Sequence, residues 1–172
     1  MTTEEQILKE RARLIAQKKD EIDQSAEAIS LIEFLLFPER YAIESVYVRE
    51  VLTVSEVTEI PGTPSYLLGV INYRGSILSV INLKVLLGLK ERGLTEMNKV
   101  LLLSNGKMEF GLVADGIFGS SEIHFDQISA APINVSTVGA TFISGVLKNG
   151  SILLNGSQLL DSESLIVNHK TK

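Results

Sequence analysis

Residues 69–78 read Gly-Val-Ile-Asn-Tyr-Arg-Gly-Ser-Ile-Leu, and residues 145–153 repeat the pattern as Gly-Val-Leu-Lys-Asn-Gly-Ser-Ile-Leu. Each copy is an apolar run, a short turn containing glycine and a second apolar run, which is typical of a β-hairpin. The copies lie about one small domain apart, so the chain is predicted to contain two similar β-rich halves. When the two copies are aligned, only the first has an additional residue at its turn, Arg74.

Composition limits the class of protein. The 172 residues, 45% of them apolar, are enough for one ordinary domain or two small barrels. Sixteen basic against twenty-one acidic residues give a formal net charge of −5, which disfavours nucleic acid as a partner because phosphates need a basic surface. The chain has no cysteine, so a reducing compartment, the cytoplasm, is the expected location. No apolar run is long enough to span a membrane, and no direct membrane insertion is expected.

Residues 1–32 are predicted to form an N-terminal amphipathic helix. From Thr3 to Ser30 the sequence has neither glycine nor proline and is rich in good helix formers. An apolar stripe with a seven-residue period runs along it, with two alanines beside it: Leu8, Ile15, Ile22, Ile29, Ala12 and Ala26. Such a stripe must be covered. The helix therefore either packs on the protein's own β body, or self-associates or binds a further partner.

Residues 33–168 are predicted to form the main β domain, because short apolar runs alternate there with turn residues. The predicted strands are Phe34–Phe37, Tyr41–Leu52, Val57–Ile60, Leu67–Tyr73, Ser76–Asn82, Lys99–Ser104, Lys107–Ala114, Ile117–Phe125, Phe142–Lys148, Ser151–Leu154 and Ser164–Val167. The dipeptides Asn105-Gly106 and Asn149-Gly150 predict type I′ turns. Short helical turns are predicted at residues 84–87 and 158–160. Residues 88–97 are predicted to join the two halves, and residues 169–172 to form a tail.

No arrangement of residues predicts catalysis. His124 and His169 lack neighbours at metal-ligand spacing, and the glycine-rich run from Gly111 to Gly119 lacks the ending of a phosphate-binding loop. We therefore expect no enzyme activity, metal or cofactor. Arg74 differs, because it is a charged residue between two apolar runs, and a guanidinium combines stacking with forked hydrogen bonds to carboxylates. It predicts a protein interface; a solvent-exposed turn arginine is the alternative.

Five motifs in a fixed order resemble the CheW-like family, the chemotaxis coupling (adaptor) proteins that link chemoreceptors to their histidine kinase in signal transduction. The resemblance runs from about Glu33 to Val167. The motifs are Tyr41-Ala42-Ile43 with Val48-Arg49-Glu50-Val51-Leu52, Ile60-Pro61-Gly62-Thr63-Pro64, Gly69-Val70-Ile71-Asn72-Tyr73-Arg74-Gly75, Gly111-Leu112-Val113-Ala114-Asp115-Gly116 and Phe142-Ile143-Ser144-Gly145-Val146.

This resemblance implies two intertwined five-stranded SH3-like β-barrels that act as a scaffold without catalysis or cofactor. It implies two partners: the signalling tip of a chemoreceptor, a methyl-accepting protein, held in the cleft between the barrels, and the regulatory domain of a histidine kinase, bound at a barrel end. Matched motif by motif, the receptor-facing candidates are Val48, Glu50, Arg74, Asp115 and Gly116. The same comparison implies supporting structural roles near that site for Gly69, Gly75 and Gly145.

Three departures from the family pattern leave alternatives open. The sequence has Ser79-Val80-Ile81-Asn82 where the family usually has Pro-Val-Ile-Asp, and Leu154-Asn155 where it has Leu-Asp. The long N-terminal helix is a third departure. A paralogous scaffold for another receptor and kinase array is therefore an alternative to the main coupling protein. Two further alternatives are a small-ligand-binding β-barrel module and a detached regulatory domain of the kinase.

Overall fold

The computed structural model describes residues 3–26, 28–54, 56–89, 98–130, 137–162 and 165, without the side chains of residues 17–26, 137 and 138. These residues form a mainly β structure, as predicted, with a long N-terminal helix. The helices are α1 Thr3–Ala26, α2 Leu83–Leu87, α3 Thr137–Ala140 and α4 Gly156–Asp161. The strands are β1 Ala28–Leu36, β2 Glu39–Glu44, β3 Val48–Thr53, β4 Leu67–Tyr73, β5 Ser76–Ile81, β6 Lys99–Ser104, β7 Glu109–Ala114, β8 Gly116–His124, β9 Ile128–Ser129, β10 Ile143–Leu147 and β11 Ile152–Leu154.

The strands form two sheets with the same internal order. The first is β3-β6-β7-β5-β4, and the second is β8-β1-β2-β11-β10-β9. In each sheet the second strand of the repeated hairpin pairs in parallel with a strand from elsewhere in the chain: β5 pairs with β7, and β11 pairs with β2. The sixth strand, β9, has only two residues, and a single bridge between Thr58 and Val70 takes its place in the first sheet. Because β1 and β2 precede the first barrel but complete the second, the two barrels are intertwined, as predicted.

Apolar packing follows this division. One buried cluster comes from the first sheet alone and includes Val80, Val100 and Leu102. A smaller one comes from the second sheet and includes Leu31 and Leu153. The largest cluster draws on both sheets: its buried members include Phe34, Tyr41, Leu101, Phe110, Leu112 and Leu154. Each such side chain contributes about 1.5–3 kcal/mol by leaving water, so this shared cluster holds the two sheets together.

The N-terminal helix is shorter than predicted. It ends at Ala26, and β1 begins at Ala28, so Ile29 belongs to a strand and not to the helical stripe. Every described side chain of α1, residues 3–16, is exposed, including Leu8 and Ile15. The prediction that the helix packs on the β body is therefore wrong for this part. Within the described residues, no helix has the length and apolar character needed to cross a membrane.

Two strand predictions were wrong, the first of them because the chain changes sheet. The run Tyr41–Leu52 is interrupted by a 3₁₀ turn at Ser45–Tyr47, which carries the chain from β2 in one sheet to β3 in the other. The run Val57–Ile60 makes only the single bridge at Thr58. The chain returns to the second sheet at Asp115, between β7 and β8. The elements before and after residues 88–97 are thus parts of one barrel, so the predicted junction is misplaced.

Some predictions cannot be placed on the structure. Residues 90–97 and the tail 169–172 lie outside the described part of the chain. The predicted strand Ser164–Val167 also lies outside it, except for Leu165, which is in a turn.

The type I′ turn occurs at a different place from the one predicted. Arg74 and Gly75 have φ values of 49° and 82°, as a two-residue type I′ turn requires. Among the described residues Arg74 is the one non-glycine residue with positive φ, so neither asparagine of the predicted turns has it. Those asparagines instead accept backbone N–H groups: Asn105 Oδ1 from Met108 at 2.7 Å, and Asn149 Oδ1 from Ser151 at 3.0 Å.

The two repeat copies differ by more than one inserted residue. Gly69 pairs with Val80 in the first hairpin, and Gly145 pairs with Leu153 in the second, so the first hairpin is three residues longer. The shared Gly-Ser-Ile-Leu letters are therefore not structural equivalents, and the alignment that added only Arg74 was wrong. The additional length carries the first hairpin beyond the barrel body.

Asn82 and Asn155, which stand where the family usually has aspartate, each cap a short helix. α2 and α4 follow the second strand of each repeated hairpin, as predicted. Asn82 Oδ1 accepts the N–H of Lys84 at 3.1 Å, and Asn155 Oδ1 accepts that of Gln158 at 3.0 Å. Asparagine caps a helix as well as aspartate does, so these positions retain their N-cap role.

Candidate functional site

At the tip of the first hairpin, the half-buried Tyr73 and the exposed Arg74 form a polar cluster with Glu50 of β3. The hairpin reaches this position because Asn72 Oδ1 accepts the N–H of Gly75 at 3.2 Å and fixes the turn. Gly75 supplies positive φ at no steric cost, whereas Arg74 adopts it despite its side chain. The backbone therefore directs the arginine toward β3 of the same barrel.

Glu50 on β3 receives both side chains of the hairpin tip. The hydroxyl of Tyr73 donates to Glu50 Oε2, and Arg74 Nη2 lies 3.4 Å from the same oxygen. The guanidinium carbon lies 5.2 Å from the centre of the Tyr73 ring. This hydrogen bond to the Glu50 carboxylate raises the pKa of Tyr73. The cluster thus orients the guanidinium, and its ion pair is of the exposed kind that contributes little to stability.

Arg74 remains available to a partner. Its side chain is 71% exposed, against 36% for Glu50. Val48, two residues before Glu50 on β3, is half-buried and packs against the shared core. Of the five predicted receptor-facing residues, the structure thus brings Glu50 and Arg74 into contact, and Val48 lies two residues from Glu50 on the same strand.

Asp115 and Gly116 lie elsewhere, at the passage between the sheets, where the chain leaves β7 of the first sheet and enters β8 of the second. Asp115 Oδ2 lies 2.5 Å from Lys84 Nζ and accepts the N–H of Phe37 at 2.7 Å. Its Oδ1 accepts from Asn98 Nδ2 at 3.3 Å. Gly116 begins β8, and a Cβ added there would meet nothing within 4 Å. The described contacts give Asp115 a structural position that is separate from the arginine cluster.

The glycines of the two repeat copies are required by close backbone approach. A Cβ on Gly69 would collide with the carbonyl oxygen of Thr58, and one on Gly145 with that of Ser129. Thr58 bridges to Val70, and Ser129 pairs with Val146 in β10. The absence of a side chain at Gly69 thus allows the segment at Thr58 to approach β4, and its absence at Gly145 allows β9 to approach β10.

Two residues of these networks were not predicted from the sequence. The sequence did offer a reason to select Tyr73, because it immediately precedes Arg74 in the longer repeat copy. The sequence offered no such reason for Lys84, because nothing in a short helical turn distinguishes a buried lysine from an exposed one. It is only 4% exposed, and its charge is paired with Asp115.

Metal-ligating side chains do not converge in the described part of the chain: no three of its His, Asp or Glu residues are arranged to hold a metal ion. A cleft of about 380 Å³ lies between β3 and β4 and is lined by residues such as Leu52, Thr58 and Asn72. The chemistry that the arginine cluster offers is hydrogen bonding and charge pairing.

Two interlocked barrels with equivalent strand order define the class of this fold. The chain belongs to the CheW-like family, because the model of the CheW-like domain matches residues 30–166. The predicted family is thereby confirmed. The chain is 32% identical to the chemotaxis protein CheW of Klebsiella aerogenes over 139 residues, 77% of this chain and 84% of that protein. It is 29% identical to the chemotaxis protein CheW of Bacillus subtilis over 137 residues, 78% of this chain and 88% of that protein.

A solved structure has the same fold. The crystal structure of the scaffolding protein TtCheW from Thermoanaerobacter tengcongensis matches with a TM-score of 0.66 and 28% identity, covering 74% of this chain and 88% of that one. The match supports the predicted description as SH3-like barrels.

Proposed function

We propose that this protein is a non-enzymatic cytoplasmic adaptor that couples the signalling tip of a chemoreceptor to the regulatory domain of a histidine kinase. Its relatives are named chemotaxis proteins, and its structural neighbour is named a scaffolding protein. The observation that carries the proposal is the cluster of Glu50, Tyr73 and Arg74. Two of its members, Glu50 and Arg74, are residues for which the family resemblance implies a receptor-facing role, and the cluster orients an exposed guanidinium.

The receptor-facing surface is formed by Val48, Glu50 and Arg74. Val48 offers an apolar contact, and the guanidinium offers N–H donors beyond the one directed at Glu50. Because Tyr73 and Glu50 already restrict the arginine, less side-chain entropy is lost when a receptor binds. Asp115 and Gly116, the other two receptor-facing candidates, lie apart from this surface, where the chain passes from one sheet to the other. Binding two partners at once favours the assembled state of both, so the adaptor acts by shifting populations.

A charge reversal tests this surface. Arg74→Glu is expected to abolish capture of a receptor-tip fragment, because it places two carboxylates side by side at the hairpin tip. The matched control is Lys107→Glu, which makes the same change at an exposed position of the β6–β7 loop. Both variants should unfold within about 1 kcal/mol of the wild type, since exposed ion pairs contribute little.

Different outcomes would contradict the proposed receptor-facing surface and the proposed adaptor function. If Arg74→Glu binds the receptor fragment as well as Lys107→Glu does, the assignment of this surface is wrong. If the wild type binds neither a receptor tip nor a kinase regulatory domain, the adaptor function is wrong. A metabolite that binds saturably in the cleft beside β3 would then favour the small-ligand alternative. Pull-down from the native cell distinguishes the main coupling protein from a paralogous scaffold through the receptor recovered.

A further inference from the structure

Besides a bulge in the repeated hairpin, each barrel carries a second bulged residue, and this one lies on β3 in the first sheet and on β8 in the second. The pairing of β3 with β6 shifts between Val48 and Glu50, so Arg49 is the additional residue. The pairing of β8 with β1 shifts between Ile117 and Gly119, so Phe118 is the additional residue. Since β3 and β8 hold the same place in the two sheets, Arg49 and Phe118 correspond to each other.

The residues that these bulges contact also correspond. In the first sheet Val80 pairs with Gly69 on one side and with Gly111 of β7 on the other. In the second sheet Leu153 pairs with Gly145 on one side and with Ala42 of β2 on the other. Because Gly69 and Gly145 are the matching repeat glycines, Gly111 and Ala42 occupy equivalent positions. Two residues before Gly111 and Ala42 lie Glu109 and Arg40. The contacting pairs are therefore Arg49 with Glu109 in the first barrel and Phe118 with Arg40 in the second.

The chemistry of the two pairs is different. Arg49 Nη1 lies 3.0 Å from Glu109 Oε2, so the first barrel neutralises its guanidinium internally. In the second barrel the guanidinium carbon of Arg40 lies 4.0 Å from the centre of the Phe118 ring, which leaves the positive charge without a counter-ion. Within the described residues of the β body, Arg49 and Arg74 have carboxylate partners and Arg40 has none.

Two exposed phenylalanines accompany this charge, one in contact with the guanidinium and one in the turn that precedes β2. Phe118 is 48% exposed, and Phe37, in the turn between β1 and β2, is 40% exposed. Arg40 itself is exposed at the start of β2. Stacking on Phe118 restricts the guanidinium without using its forked N–H groups, which are the donors that pair with a carboxylate. We name Phe37, Arg40 and Phe118 the aromatic–arginine patch.

We propose that the aromatic–arginine patch is an interaction surface for a protein segment that presents a carboxylate beside an apolar side chain. The carboxylate supplies the counter-ion that Glu109 supplies in the first barrel, and the apolar side chain covers the two phenylalanines. Aromatic residues and arginine are the types that dominate binding energy at protein interfaces. The chain as a whole carries a formal charge of −5, which repels an acidic segment on average, whereas the Arg40 guanidinium offers such a segment a local positive charge.

Two short labelled peptides test the proposal, one of alternating Glu and Leu and one of alternating Lys and Leu. Fluorescence anisotropy should show saturable binding of the Glu–Leu peptide that weakens with added salt, and weaker binding of the Lys–Leu peptide. Arg40→Glu should weaken the Glu–Leu complex by about tenfold or more, the effect of one lost charge-assisted contact. Phe118→Ser should weaken it by a similar factor. Arg49→Glu is the matched control at the equivalent bulge and should change it by less than about twofold.

Several results would overturn the proposal. Equal affinity for the two peptides would show that charge does not select the occupant. Equal losses in Arg40→Glu and Arg49→Glu would show that only net charge matters. A dimer of the wild type that Arg40→Glu converts to a monomer would show that a second copy is the occupant. Arg40→Gln and urea unfolding of every variant guard against misfolding: a folded Arg40→Gln that binds the Glu–Leu peptide like the wild type also contradicts the proposal.

Discussion

The ammonium group of Lys84 lies 2.5 Å from Asp115 Oδ2, and this ion pair joins α2 of the first barrel to the point where the chain enters the second. The same carboxylate oxygen accepts the N–H of Phe37, which lies in the β1–β2 turn of the second barrel. This ion pair between a buried lysine and a partly exposed aspartate therefore connects three segments that are distant in sequence.

Removing the carboxylate should destabilise the protein strongly. Asp115→Ala leaves the Lys84 charge buried without its partner, and we expect a loss of about 3 kcal/mol. Lys84→Met should cost less, because Asp115 is partly exposed and keeps the N–H of Phe37. Urea unfolding measures both, with Arg49→Ala as a control in which an exposed pair is lost for under about 1 kcal/mol. A loss for Asp115→Ala no larger than that of this control would contradict the structural role.

Adding one methyl group distinguishes the glycines. Gly69→Ala places a Cβ against the carbonyl oxygen of Thr58, and Gly145→Ala places one against that of Ser129. We expect each to lower the free energy of unfolding by roughly 1–3 kcal/mol, because backbone must move to relieve the overlap. Gly116→Ala, where the added atom meets nothing, is the control and should be nearly neutral. Thermal unfolding of the three variants is sufficient, and equal melting temperatures would be inconsistent with the close approach.

Alkaline pH should reveal the buried phenol of Tyr41. Burial raises its pKa above the ordinary value of 10, and the neighbouring Glu39 adds to the effect. As pH rises past this value, the unfolded chain releases the proton first, so the stabilisation present below it is progressively lost. Urea unfolding between about pH 8 and pH 11 should show stability falling more steeply for the wild type than for Tyr41→Phe. Parallel curves would show that Tyr41 does not titrate differently on folding.

The N-terminal helix can be removed without cutting a strand. Because the side chains of residues 3–16 are exposed, deletion of residues 1–26 should leave the melting temperature of the β body nearly unchanged. If the apolar stripe mediates self-association, light scattering should give a mass above one chain for the full-length protein and one chain for the deletion. A full-length protein that stays a single chain at high concentration would rule out self-association. The further-partner alternative would then be tested by pull-down with and without the helix.

Local patterns predicted the strands that begin and end within one sheet. The limits of β4 and β6 match the predicted runs, because turn residues bound each of them. The predicted strand at 41–52 failed because the run Ser45–Tyr47 is as apolar and aromatic as a strand. Its 3₁₀ turn follows from the need of β3 to join the other sheet, which is a property of the tertiary arrangement.

The candidate site was predictable where a residue's own chemistry stood out or where a family motif contained the residue. Arg74 stood out because its longer repeat copy placed a charge at an otherwise apolar hairpin. Tyr73 and Glu50 complete that cluster through contacts across 23 and 24 residues of sequence, which no local pattern reports. The family resemblance grouped Asp115 with them, whereas the structure shows that its contacts lie at the passage between the sheets.

The order of the strands also constrains synthesis. β1 and β2 leave the ribosome before the other described strands, yet their neighbours in the sheet, β8 and β11, are made after the entire first barrel. The nascent chain must therefore carry an unpaired hairpin, with open edges that invite pairing with other chains, until Leu154 has been translated. A ribosome stalled in the first barrel would leave that hairpin without its native neighbours, so we expect such intermediates to depend on chaperones more than either barrel's size would suggest.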